Sequence, residues 1–365
     1  MTNQLKRAVG SPHIHDGASS SSIMWSVVVA LLPAALWGVW IFGMPAFLVL
    51  LVSVLSSVGA EYLLGLASRK NTIPDGSACV TGLLIGMNMP SSIPLYVPVL
   101  ASLFAIVLVK WVFGGLGANW MNPALGGRVF AFFSFTAAMS TFPVPRVLQA
   151  VDTVATATPL ALVKTSLAGG SGGQTIASLM QTNGYGATSF AHSVSSITGG
   201  RISPFAVDAF FGNMGGSIGE ISAFLLILGG IFLMWKKIIS WHIPVSYGVS
   251  FALLAWSLGG LRMGTGLFSG DILLPLLSGG LVLGAIFMAT DMVTSPLTNT
   301  GRLIFGCGCG VLTFILRYYG SLPEATSLAI LFMNMMTPLI DRHVRPRVYG
   351  TGRPASIVTG KEVQS

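Results

Sequence analysis

Apolar residues fall in ten runs along the chain, approximately 23–42, 45–67, 76–89, 94–116, 122–142, 218–235, 243–261, 271–290, 301–319 and 323–340. A helix needs about 20 predominantly apolar residues to cross a bilayer, and most of the runs have that length. The third is short and ends at Pro90, with Pro94 close behind. It predicts a half-helix or a re-entrant piece. Broken backbone at membrane depth is tolerated only where protein or a water-filled cavity satisfies it, so this run is expected to line a site. The polar interval 143–217 is much longer than the others, with five runs before it and five after. Five is odd, so two such halves lie in opposite orientations, the inverted-repeat arrangement common among transporters. Direct sequence support for a repeat is thin: Gly127-Arg128-Val129-Phe130 echoes Gly301-Arg302-Leu303-Ile304, but in runs that do not correspond.

Composition points the same way. Of 365 residues, 53% are hydrophobic and 8% charged, against about 25% charged in a soluble domain. The lipid bilayer is the expected solvent, and the expected fold class is an all-α integral membrane protein. The first run follows a polar leader without a small-residue cleavage site, so no removable signal peptide is expected. Lys and Arg gather on the cytoplasmic side of membrane proteins. With the N-terminus inside, twelve of the 19 basic residues lie inside and four outside, while Lys110, Arg128 and Arg317 lie in or near helices. Both termini are then cytoplasmic. The chain divides into a leader (1–22), a first five-helix unit (23–142), an external loop (143–217), a second five-helix unit (218–341) and a tail (342–365). The formal charge of +8 is scattered as topology signals, so no nucleic-acid partner is expected. Cys79, Cys307 and Cys309 sit in apolar runs, an odd set that makes no disulfide framework. They read as packing residues, and no metal site is expected.

Ionisable residues inside a membrane are costly and usually functional. The candidates are Glu61, Asp75, Glu220, Asp291 and Asp341. For Asp75 and Glu220 the competing reading is a carboxylate near a helix N-terminus, offsetting the dipole; for Asp341 it is pairing with Arg342 or Arg345. Asp75, Asp291 and Asp341 share the cytoplasmic side, compatible with a joint entrance. The junction "FGGLGANWMNPALGGRVFAFF" carries Asn119 and Asn122, three apart and on one face if helical. Pro123 suits a first helical position, so Asn122 reads either as a cap or as a ligand contact. Arg128 needs an anionic or carbonyl partner.

The external interval contains "AVDTVATATPLALVK", 150–164, with Asp152, Thr153, Thr156 and Thr158 ahead of Pro159. A helix starting at the proline makes Thr158 an N-cap. The same helix N-terminus also suits a phosphate. Residue chemistry alone favours the cap.

"VDTVATATPLA" resembles the flavinylation motif Asp-x-x-(Ser/Thr)-x-Ala-Thr of the NqrB/RnfD family. "DGSACVTGLLIGMNMPSSIPLY", "NPALGGRVFAFF", "VDAFFGNMGGSIGEIS", "FMATDMVTSP" and "ILFMNMMTPLIDR" resemble further blocks of that family, in order. The short N-terminus and the tail "RPRVYGTGR" are closer to its RnfD branch. The resemblance implies about ten helices in two inverted, urea-channel-like five-helix repeats in a bacterial inner membrane. It implies a flavin-carrying subunit of an ion-translocating ferredoxin:NAD oxidoreductase (Rnf) complex, active only with the other subunits (A, B, C, E and G). Electrons pass through covalent FMN, coupled to Na⁺ or H⁺ transport. On the same grounds a separate flavin transferase esterifies Thr158 to the FMN phosphate. Asp152 leads the motif. Ala155 departs from its usual Ser or Thr, and Thr156 is the second choice of acceptor. A non-covalent riboflavin is implied near Asn119 and Asn122, with Arg128 in the same block a further cofactor-binding candidate. Asp75 and Asp341 match acidic positions linked to sodium uptake, Asp75 standing for a longer Glu. The alternatives are an NqrB-type subunit of a Na⁺-translocating NADH:quinone oxidoreductase, against which the short N-terminus argues, and a urea-channel-like solute transporter, against which the motif argues.

Overall fold

A computed structural model describes residues 19–69, 72–143, 161, 176–182, 186–200, 202–264, 266–320 and 325–344. Their regular structure is helical, with no strand among them. In chain order the helices are α1 Ser20–Phe42, α2 Met44–Ser68, α3 Ser77–Met87, α4 Tyr96–Leu103 continuing as a π-helical Phe104–Trp111, α5 Pro123–Ser134 and α6 Thr136–Met139. Then come α7 Ile176–Thr182, α8 Ser189–Ile197, α9 Pro204–Phe211, α10 Ala223–Trp235, α11 His242–Met263, α12 Leu273–Leu277, α13 Leu281–Leu283 continuing as a π-helical Gly284–Met288, α14 Asn299–Tyr318 and α15 Thr326–His343.

Four of the described helices are long and apolar enough to cross a membrane: Ser20–Phe42, Met44–Ser68, His242–Arg262 and Asn299–Tyr318. Their surroundings are inverted relative to a soluble protein. Trp40, Leu36, Leu63 and Leu253 face outward, while Ser53, Ser57, Glu61, Thr313 and Arg317 are buried. Polar side chains on spanning helices turn to the bundle interior because lipid offers them no partner.

Each apolar run contains helix, and the deviations have local causes. α3 has 11 residues, about 16 Å of rise, roughly half the hydrocarbon core. It opens after Gly76, whose φ of 76° is left-handed, and it stops short of Pro90 as the sequence predicts. The fifth run breaks at Phe135, and the eighth at Gly279–Gly280, both with positive φ. The sixth starts late because 216–222 is not helical. This segment instead closes the carbonyl end of α3: Ile218 N donates to Met89 O (3.1 Å) and Gly219 N to Met87 O (2.7 Å).

Helices approach closely where small residues meet, the usual solution in lipid. A Cβ on Gly82 of α3 would stand 2.6 Å from Ser53 O of α2, and one on Gly229 of α10 2.5 Å from Ala30 O of α1. Gly59, also on α2, has nothing within 4 Å of its Cβ position. Gly82→Ala is therefore expected to destabilise by about 1–3 kcal/mol through overpacking against backbone. Gly59→Ala is expected to stabilise by roughly 0.5–1 kcal/mol through helix propensity. Thermal unfolding in detergent checks the opposite signs.

Candidate functional site

The start of α3, the π-helical end of α4, the entry to α5 and the end of α13 converge on one cleft. It encloses about 790 Å³ of empty space, part of it open to solvent, and is lined by Ser77, Thr81, Lys110, Asn119, Asn122 and Asp291 among apolar side chains. Both π-helical segments reach it, Lys110 from the first and Phe287 from the second. Wide helical turns of this kind recur at functional sites.

A polar chain anchors the cleft wall. Lys110 Nζ lies 2.7 Å from each oxygen of Glu61 on α2 and donates to Ser77 Oγ at 2.6 Å. The lysine and glutamate are both buried. Ser77 Oγ in turn donates to Asp75 Oδ1, which also accepts from Ser77 N at 2.8 Å. The order is carboxylate, ammonium, hydroxyl, carboxylate, with each proton accounted for. Asp75 thus satisfies a bare N–H at the start of α3, as a carboxylate at a helix N-terminus does, and holds the serine that Lys110 reaches.

The two asparagines meet at the same cleft. Asn122 Oδ1 accepts from Ala124 N (3.0 Å), capping α5 ahead of Pro123, while its Nδ2 donates to Met288 O (3.2 Å). The cap reading is realised, and the same side chain lines the cleft. Asn119 Nδ2 donates to Met121 O at 2.9 Å, which fixes the junction. Asp291 Oδ2 accepts from Thr294 Oγ1 at 3.2 Å.

Other candidates lie elsewhere. Arg128, inside α5, donates through Nη1 to Ser327 Oγ of α15 and does not line the cleft. Asp341 Oδ1 accepts from Leu297 N (3.2 Å), tying α15 to the segment before α14, away from the cleft lining. Asp152, Ala155, Thr156 and Thr158 lie outside the described residues. Sequence reasoning missed that Glu61 and Lys110 belong together. The signal was present, as opposite charges in the second and fourth apolar runs that each need a partner.

A bundle of apolar helices with its charges turned inward and a polar cleft between interrupted helices is the architecture of a multi-pass membrane protein. The chain belongs to the NQR2, RnfD, RnfE family, which it matches over residues 8–350. It is 42% identical over 356 residues, covering 96% of this chain and 99% of the relative, to the D subunit of the proton-translocating ferredoxin:NAD(+) oxidoreductase complex of Clostridium ljungdahlii. It is 40% identical over 353 residues, 95% of this chain and 96% of the relative, to the D subunit of the Na(+)-translocating ferredoxin:NAD(+) oxidoreductase complex of Acetobacterium woodii. To the D subunit of the ion-translocating oxidoreductase complex of Stutzerimonas stutzeri it is 39% identical over 342 residues, 91% and 93% of the two chains.

Proposed function

We propose that this chain is the flavin-carrying membrane subunit of an ion-translocating ferredoxin:NAD oxidoreductase complex, passing electrons through covalent FMN and coupling them to Na⁺ or H⁺ movement. The observation that carries the reading is the likeness, over nearly the full length of both chains, to relatives named as the D subunits of such complexes. One relative is named for protons and one for sodium at almost equal identity, so the likeness favours neither ion. The other complex subunits are its partners, and a flavin transferase matures it. It lies in a bacterial inner membrane with both termini cytoplasmic.

The repeat architecture fits this reading. Lys110 and Arg317 each sit in the last turn of a helical segment. Each reaches the start of a short helix introduced by a left-handed glycine: Lys110 bonds Ser77 after Gly76, and Arg317 bonds Gly279 O (2.6 Å) before Gly280 and α13. Two halves built alike and run in opposite directions account for that match.

Thr158 carries FMN through its phosphate, with Asp152 leading the recognition motif. The cleft suits the non-covalent flavin. It pairs an apolar lining with a few placed polar groups, as small-molecule sites do. Asn119 and Asn122 supply amides and Lys110 a cation at the wall. A bound flavin supplies one- and two-electron redox chemistry; the protein supplies position and electrostatics.

Mass spectrometry of the 147–164 peptide from native membranes tests the covalent site, which predicts the added mass of FMN on Thr158; an unmodified peptide overturns it. Ferredoxin–NAD exchange by the purified complex, measured beside quinone reduction, separates this reading from an NqrB-type subunit. Asn122→Ala is expected to cost about 1 kcal/mol through the lost cap. It should also lower the flavin released on denaturation while leaving the covalent flavin intact. Unchanged release removes Asn122 from the flavin site.

A further inference from the structure

A second buried carboxylate lies away from the cleft. Glu220 sits in the turn before α10 and is 7% exposed. Its Oε1 accepts from Ser217 N at 2.8 Å. Its Oε2 has no hydrogen-bond partner among the described residues, and neither has Ser217 Oγ on the same turn. Capping does not explain it, because Ser222 caps α10 by accepting from Leu225 N. A buried charged oxygen without a partner is strongly disfavoured, and it marks a place where something binds.

Glu220 borders a small cavity, about 240 Å³ of empty space with part of it open to solvent, lined also by Gly215, Gly216, Ser278 and Gly279. The glycines leave room at both carboxylate oxygens. A Cβ on Gly280 would lie 2.7 Å from Oε2, and one on Gly216 2.9 Å from Oε1. Across the cavity, the Ser278 carbonyl accepts from Arg317 Nη2 at 3.2 Å and keeps a second lone pair, whereas Gly279 O is filled by Arg317 Nη2 (2.6 Å) and Thr326 Oγ1 (3.1 Å). Charged side chains on the surrounding elements include Arg128, Arg317 and Asp208. Arg128 Nη1 would be 3.8 Å from the same Gly280 Cβ. Arg317 is bonded as described. Asp208 of α9 accepts from Thr188 N (2.9 Å) and Thr188 Oγ1 (2.6 Å). Glu220 is the single carboxylate among the residues lining the cavity, which matches at most one positive charge. Oxygen-only ligands suit a hard cation.

We propose that Glu220 binds one small monovalent cation, Na⁺ or H⁺, through Oε2 and the facing carbonyl of Ser278. It forms an ion station at the opposite end of the α13 segment from the cleft. Gly280 introduces that segment and Met288 O, at its other end, receives Asn122; eight residues of helix separate the two by roughly 10–12 Å. Assigning this cation to transport rests on the function proposed above; the binding itself does not.

The test uses the whole complex purified in choline chloride, comparing wild type, Glu220→Gln and Gly216→Ala. Thermal unfolding is followed against NaCl, against KCl and against pH, without turnover, and ²²Na⁺ and proton uptake are followed in proteoliposomes. A saturable Na⁺ stabilisation that disappears in E220Q and needs at least tenfold more Na⁺ in G216A identifies sodium. No Na⁺ response, with a pH-dependent step in wild type that E220Q removes and G216A displaces, identifies the proton. Wild-type cation and pH responses in both variants overturn the proposal. Should E220Q fail to assemble, G216A decides by the same criteria. A complex that moves no ion overturns the functional reading alone, because the unfolding measurements still report on Glu220.

Discussion

Replacing Thr158 by alanine is expected to abolish covalent flavin on this chain, seen as loss of the fluorescent band on a denaturing gel. A phosphoester needs a hydroxyl, and alanine has none. Thr158→Ser keeps the nucleophilic oxygen and is expected to retain the label. Thr156→Ala tests the neighbouring hydroxyl and should leave it intact. If T158A still fluoresces and T156A does not, the acceptor moves by two residues. If the native chain carries no covalent fluorescence at all, the tether is absent. Without the tether, ferredoxin–NAD exchange by the complex should fall to background, although the subunits still assemble.

The second large effect concerns the buried pair Glu61–Lys110. Lys110→Met keeps the length of the side chain but removes the cation, leaving Glu61 fully buried beside a bare Ser77 hydroxyl. Removing one partner of a buried pair typically costs about 3–5 kcal/mol, because the other charge is left uncompensated. Glu61→Gln in the same chain removes that charge, so the double variant K110M/E61Q should recover most of the lost stability. Thermal unfolding of the four proteins forms a double-mutant cycle. A K110M loss that E61Q does not relieve would mean that the lysine acts by packing alone. The double variant should still lose cleft function, since the wall no longer carries a cation beside Asn119 and Asn122.

Much of the bundle was legible because lipid imposes a simple pattern. The runs at 23–42 and 243–261 became helices within a few residues of their expected ends, and Pro90 correctly foretold the short α3. The interruptions were harder. Gly279–Gly280 is a visible break in hindsight, but Phe135 carries no turn chemistry. The π-helical turns at 104–111 and 284–288 have no residue signature, since the slip from i→i−4 to i→i−5 is set by neighbouring helices. The cap at Asn122 was readable from the proline that follows it. Arg128 was not assignable, because six residues up α5 is roughly 9 Å, enough to leave the cleft. Lys110 and Glu61 are 49 residues apart, and only packing depth brings them together.

The closure of α3 by the turn at 216–220 bears on how the chain is made. Met87 O and Met89 O receive their donors from Gly219 and Ile218, about 130 residues further along. During synthesis, at about 5–20 residues per second, the first half reaches the membrane well before those donors emerge. Until then the carbonyl end of α3 must be sheltered by water or by the insertion machinery. A chain truncated before residue 218 therefore ends as an unfinished bundle, a substrate for membrane quality control rather than a stable half-protein.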